Sequence, residues 1–179
     1  MIKYKNGSFN PDTMNFRLRP WEITDADSLV RFGNNPKIAA NMTDQFPNPY
    51  TLEKAMAFIE FATSNTPPNI LAIEVEGQAA GGIGIHPKSD IHRMNAELGY
   101  WLGEPYWGRG IISRAIPQMV EYAFKNWDIN RIFARPFGTN TGSRRALENA
   151  GFTLEARFEK TIFKNGIYLD ELIYAIRRK

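Results

Sequence analysis

The densest chemistry in the chain lies between Glu97 and Ser113, where an apolar and aromatic run, Leu98-Gly99-Tyr100-Trp101-Leu102, breaks at Gly103 to Pro105. Gly108 and Gly110, one residue apart, then lead directly into a segment with helical periodicity. The first amides of a helix have no intrahelical partner, and a turn before it can aim further amides at the same point. Such a place holds an anion, typically a phosphate. The glycines let a ligand approach the backbone, and Arg109 between them can add a charge-assisted contact. A bare Gly-x-Gly is also the mark of an ordinary turn, so the rest of the chain has to decide between the two.

Other chemistries are excluded by residue type. The 179 residues contain no cysteine, which removes disulfides, thiol nucleophiles and thiolate metal sites. His86 and His92 are the only histidines, too few for a multi-histidine metal centre, so no metal site is expected. Both flank a polar turn around Pro87 to Asp90 and read as surface residues. The formal charge of +3 suits an acidic ligand, but the excess is small and scattered. Arg177-Arg178-Lys179 is the one basic run; it reads as a solvated strand end, and no direct nucleic-acid contact is expected. No apolar run approaches the roughly 20 residues of a membrane helix, and Met1 to Asn6 lack a signal-peptide core. A cytoplasmic protein without a membrane partner is expected, as a monomer or homodimer.

The elements that position the glycine turn follow from periodicity. Residues 1 to 15 form a polar lead-in, and a single domain spans 16–179, long enough to bury about two thirds of its unfolded surface. Phe16 to Trp21 alternates as a half-buried strand. Thr24 with Asp27 predicts a capped helix through Phe32 that stops at Gly33. Asn34 to Tyr50 reads as a loop that can line a site. Thr51 caps a second helix carrying Leu52, Ala55, Met56, Ile59 and Ala62. Ile70 to Val75 and Ala79 to Ile85 form a hairpin turned at Gly77-Gln78, with glycines in its second strand that admit a close neighbour or a bulge.

After the central stretch, Ile111, Ile112, Ala115, Ile116, Met119, Val120 and Ala123 mark one face of a long helix. Pro117 falls inside it and predicts a kink or a cost of about 3 kcal/mol. Arg131 to Phe137 is a strand, Arg144 to Ala150 a short helix closed by Gly151, and two last strands meet at an Asn165-Gly166 hairpin. The fold class is therefore α/β: one mixed, mostly antiparallel twisted sheet of about seven strands flanked by helices.

This element order, together with Trp107-Gly108-Arg109-Gly110 and the segment Asn140-Thr141-Gly142-Ser143 followed by Leu147-Glu148-Asn149-Ala150-Gly151-Phe152, resembles the GNAT superfamily of acetyl-CoA-dependent N-acyltransferases. The resemblance covers nearly the whole chain from Phe16, and the nearest branch acetylates the N-terminal amine of ribosomal proteins. Trp107 stands where the general motif has Gln or Arg, and Ile112 where it has Ala or Gly. The resemblance implies acetyl-CoA as cosubstrate. The amides of Arg109, Gly110, Ile112 and Ser113 would hold its pyrophosphate, with Trp107 and Gly108 opening the same cofactor-binding motif. Its pantetheine arm would run along the strand ending at Leu102, with Asn140 bonded to it and Ser143 near the thioester sulfur. A helix-capping role is the alternative for Asn140 and Ser143.

An amine attacks a thioester only when neutral, so such a site must remove a proton, stabilise an oxyanion and help the thiolate leave. Glu97 resembles the strand glutamate of the family and is the expected base; Glu159 and Asp170 are alternatives. Many members place a tyrosine where this chain has Leu147, which leaves Ser143 or solvent to protonate the thiolate. The expected acceptor is the amine of a protein N-terminus, with a polyamine or amino-sugar drug as the second reading. The loop from Met42 to Tyr50 and the hairpin from Lys164 to Tyr168 would select it. Two further readings compete: a non-enzymatic acyl-CoA-binding module on the same fold, and an unrelated nucleotide-binding domain, against which the lack of a Lys-Ser/Thr pair after the glycines argues.

Overall fold

The computed structural model describes residues 15–178. The expected lead-in falls almost wholly outside the described residues, as does Lys179. Seven strands form one sheet: β1 (Phe16–Pro20), β2 (Ile70–Val75), β3 (Gln78–Pro87), β4 (Asn95–Leu102), β5 (Arg131–Ala134), β6 (Thr153–Lys164) and β7 (Ile167–Arg177), in the spatial order β1-β2-β3-β4-β5-β7-β6. All neighbours run antiparallel except β4 and β5. The helices are α1 (Ala26–Gly33), α2 (Pro36–Ala39), α3 (Leu52–Thr63), α4 (Ile111–Asn126) and α5 (Thr141–Asn149). The mixed, mostly antiparallel sheet of seven strands agrees with the expectation.

One apolar core joins the sheet to the helices, with Leu29, Ile59, Ile73, Ile83, Ile85, Ile116, Met119 and Ile132 almost completely enclosed. Burial of that many branched side chains, at about 1.5–3 kcal/mol each, is the main force holding the layers together. Of the stripe expected on α4, Ile111, Ala115, Ile116, Met119, Val120 and Ala123 are buried, and Ile112 only partly so. Pro117 sits on the exposed side of α4, and the helix continues through it.

Local chemistry shifted several expected boundaries. A short helical turn, Ile23–Asp25, precedes α1 with Glu22 rather than Thr24 as its cap, because the Asp25 carboxylate accepts the Glu22 N–H at 2.9 Å while Arg19 holds it with two contacts of 2.7 Å. The β2–β3 turn is centred on Glu76-Gly77, both left-handed (φ 51° and 76°), with Val75 paired to Gln78. Within the expected loop, Asn35 starts the short α2 by accepting the Lys37 N–H at 2.8 Å, with Pro36 in the first helical turn. α5 starts at Thr141, three residues before the expected Arg144, because the Asn140 side chain caps it. The Asn165-Gly166 turn joins β6 to β7 as read, with φ 51° and 79°.

The relationship that matters for function is between β4 and β5. They pair only where Asn95, Ala96 and Glu97 meet Arg131, Ile132 and Phe133. Beyond that β5 stays with β7, through Ala134 opposite Tyr174 and an isolated bridge from Phe137 to Glu171. β4 stays with β3 as far as Leu102 opposite Gly81. The two parallel strands thus part after Glu97, and the sheet has a gap beside Leu98 to Leu102.

Candidate active site

The turn after β4 is built by its own side chains. Gly103 donates to the Ala80 carbonyl at 2.7 Å, and the Trp107 indole N–H donates to the Leu102 carbonyl at 2.7 Å. Trp107 therefore closes the turn, and Leu102 has part of its backbone occupied. Glu104 ties the turn to α2 by accepting from Asn35 at 2.7 Å and pairing with Lys37, two contacts that hold its carboxyl below the usual carboxylate range.

Gly108 and Gly110 both take left-handed φ, 74° and 69°, and a Cβ on either would meet nothing within 4 Å among the described residues. Gly110 is the N-cap of α4, without a side-chain cap and with no acidic residue in the first turn. The α4 amides at Ile112 and Ser113 stand at the positive end of a 16-residue helix, next to the bare backbone of Gly108 and Gly110. Arg109 is exposed within the same turn. Ile112, large where a small residue is usual, packs at the margin of the core rather than into that space.

On the far side of the gap, Asn140 Oδ1 accepts the Ser143 N–H at 3.0 Å, so the capping reading of Asn140 is realised, with its Nδ2 hydrogens still to place. Ser143 Oγ lies 2.7 Å from the Tyr100 hydroxyl, which also reaches the Ser143 carbonyl at 3.4 Å. Sequence reasoning missed Tyr100. Its signal was strand parity: Trp101 faces Phe46 of the 41–50 loop, so Tyr100 must point through the opposite face toward α5. Burial pushes its pKa well up, against a smaller downward pull from the Ser143 hydrogen bond, so it stays a neutral donor. Leu147, in the position of the family tyrosine, is wholly buried in the core.

Glu97 faces the other way, and its Oε2 pairs with Lys88 Nζ at 2.6 Å. Of the two alternatives for the base, Asp170 is fully committed: Oδ1 accepts from the Lys160 N–H at 2.9 Å and Oδ2 from Arg157 Nε at 2.8 Å, which lower its pKa. Glu159 is exposed on β6. The two segments expected to select an acceptor do meet: Lys164 Nζ pairs with Asp44 at 2.6 Å, and together they border a surface cavity of about 670 Å³ that Phe46, Lys54 and Asn165 also line. Phe46 connects that cavity to β4, its ring centroid 6.0 Å from that of Trp101. Among the described residues no helix is long and apolar enough to cross a membrane.

A sheet that parts beside a glycine-opened helix is a fold with known relatives. Residues 15–153 match the family described as the acetyltransferase (GNAT) domain. The chain belongs to this GNAT family and is of the N-acetyltransferase enzyme class, as its sequence implied. It is 34% identical over 165 residues to an uncharacterized N-acetyltransferase, YnaD, of Bacillus subtilis (strain 168), covering 92% of this chain and 94% of that protein. It is 30% identical over 104 residues to the putative ribosomal N-acetyltransferase YdaF of the same organism, 58% of this chain and only 56% of that relative. Among solved structures, the microcin C7 self-immunity acetyltransferase MccE in complex with acetyl-CoA and AMP superposes with a TM-score of 0.74 at 27% identity, over 91% of this chain and 92% of that one. The ribosomal L7/L12 alpha-N-protein acetyltransferase RimL, in complex with coenzyme A, shares the fold at a TM-score of 0.77 and 22% identity, over 90% and 93%.

Proposed function

We propose that the chain moves an acetyl group from acetyl-CoA to a primary amine, most naturally the amine of a protein N-terminus, by direct attack with both substrates bound. The observation that carries this reading is the coincidence of two openings: the gap where β4 leaves β5 and the uncapped, glycine-led start of α4 at its upper end. The residues fit an acyl-CoA. The amides of Arg109, Gly110, Ile112 and Ser113 would hold the pyrophosphate, with Gly108 and Gly110 leaving the backbone bare. β4 beyond Glu97 would pair with the pantetheine arm; because Trp107 occupies the Leu102 carbonyl, the pairing falls mainly to Gly99 through Trp101. The Nδ2 of Asn140 would donate to the arm from the α5 side.

The chemistry then divides between the two faces of β4. Toward α5, the Tyr100 and Ser143 hydroxyls, 2.7 Å apart, would hydrogen-bond the departing sulfur and pass it a proton. This is the task left open by Leu147. On the opposite face, the side of β4 that carries Glu97 would receive the proton of the ammonium. Backbone N–H groups in the gap stabilise the charge that builds on the acyl oxygen. Acceptor choice would lie with the cavity closed by Asp44 and Lys164. A protein acceptor is supported by the ribosomal-protein enzymes among the relatives, and a small amine is the second reading.

Release of free thiol from acetyl-CoA, measured against peptides with free N-termini and against polyamines and amino sugars, tests the proposal. Thiol release with one product amide per thiol supports it. Tight acetyl-CoA binding without turnover on any acceptor would instead support a non-enzymatic acyl-CoA-binding module on the same fold.

A further inference from the structure

On the face of the sheet that carries Glu97, one open glycine, Gly99, lies beside the His86 imidazole. Gly82, Gly84 and His86 of β3 lie directly opposite Trp101, Gly99 and Glu97 of β4, so strand alternation puts all six on one face. Trp101 closes one end, its indole Nε1 2.9 Å from where a Cβ on Gly82 would lie. His86 closes the other, its Nε2 3.2 Å and 3.8 Å from the corresponding positions on Gly84 and Gly99. A Cβ on Gly99 would meet nothing else within 4 Å among the described residues. Gly82 and Gly84 are themselves covered, with Trp21 3.3 Å and Ile70 3.1 Å from where their Cβ atoms would lie, so the open space is the one over Gly99. That space begins two residues beyond Glu97, the last β4 residue paired with β5.

Glu97 is a compromised base, since Lys88 neutralises it at 2.6 Å and the Lys88 ammonium also stands 5.5 Å over the Phe133 ring. His86 is directly across from Glu97 and exposed above. We infer that His86 is the catalytic base, taking the acceptor's proton on its imidazole directly or through one water, and that the Glu97–Lys88 pair is a positioning element beside it. The inference rests on the proposed acetyltransferase reading and names the group that reading leaves unspecified.

The charged groups facing the imidazole are Glu97 on β4 and Lys88 just beyond β3. Partial burial of the ring lowers the His86 pKa most, Glu97 raises it and Lys88 lowers it, so the ring is neutral at pH 7 and free to take a proton. The balance closes without another reactant. One ammonium proton goes to His86; the freed nitrogen bonds to the acyl carbon, and the C–S bond breaks with its electron pair on sulfur. The second proton leaves nitrogen and reaches sulfur through the Tyr100–Ser143 hydroxyls or water. His86 then returns its proton to solvent.

The test is the pH profile of kcat/KM with acetyl-CoA and the amine that turns over fastest in the wild type, alongside calorimetric titration with coenzyme A. In His86→Gln a drop of about 100-fold or more is expected at pH 7, typical of a lost general base, shrinking as rising pH deprotonates the amine in solution. Glu97→Gln is expected to move the acidic limb to lower pH, because the carboxylate raises the imidazole pKa. Coenzyme A affinity should stay within about 2-fold in both. An unchanged profile in His86→Gln, or a loss equal at every pH, overturns the assignment while leaving the acetyltransferase reading intact; a wild type that binds coenzyme A but transfers to no amine overturns both.

Discussion

The Tyr100 hydroxyl and the Ser143 hydroxyl share a hydrogen bond of 2.7 Å across the mouth of the gap between β4 and β5. The pair joins the strand before the glycine turn to the first turn of α5, and it stands on the face opposite Glu97 and His86. A base on one side of β4 and a pair of neutral hydroxyls on the other match the two proton transfers that amide formation from a thioester requires.

Removing either hydroxyl should slow the chemical step. Tyr100→Phe keeps the buried ring and deletes one hydrogen bond; kcat is expected to fall about tenfold with KM for acetyl-CoA nearly unchanged. Ser143→Ala should do the same, and the double variant should cost little more than either single one because the two act as a unit. Steady-state kinetics of the three variants check this; fully additive losses would show that the hydroxyls work separately.

The turn before α4 offers a cleaner cut between folding and binding. Asn tolerates the left-handed backbone of Gly110 and is a favoured N-cap, so Gly110→Asn should leave the melting temperature within a few degrees of the wild type. Its side chain would fill the space before the helix and cap the amides assigned to the pyrophosphate. Calorimetric titration is expected to show coenzyme A affinity falling tenfold or more. Wild-type affinity would move the pyrophosphate elsewhere.

How far these features could be read from residues alone depended on how local their causes are. The glycine turn, the Thr51 cap, the Asn165-Gly166 hairpin and the α4 stripe are set by neighbours in sequence, and each lies where its residues said. The cap expected at Thr24 moved to Glu22 because Asp25 answers to Arg19 across a turn, and the start of α5 moved because Asn140 caps it. The gap between β4 and β5 has no local signature, since β5 is drawn away by β7. Tyr100 and His86 gain their meaning only from that gap and from the two glycines facing each other across β3 and β4. A histidine in a strand end and a tyrosine in an aromatic run are otherwise ordinary.

Acid should find a weak point on β2. Glu74 on β2 accepts from Arg17 at 2.6 and 2.9 Å and from Arg19 at 2.5 Å, and these bonds lower its pKa from 4.5 to about 2. A carboxylate with a depressed folded pKa contributes stability above its unfolded pKa, and that stability is lost as pH falls through the folded value. Glu74→Gln should therefore cost on the order of 1–2 kcal/mol at pH 7, discounted for the exposed Arg17, with the difference from wild type closing between about pH 4.5 and pH 2. Denaturant unfolding across that range checks it. A difference independent of pH would mean the loss is one of packing.

The central claim is that the gap between β4 and β5 and the start of α4 form one acetyl-CoA site. Amide hydrogen exchange with and without acetyl-CoA addresses it directly, because protection reports where the backbone is covered. The account predicts slower exchange confined to three stretches: Gly99 to Trp101, Gly108 to Ser113, and the start of α5 around Ser143. Protection absent from both the α4 start and β4, in a protein shown to be saturated with acetyl-CoA, would contradict it.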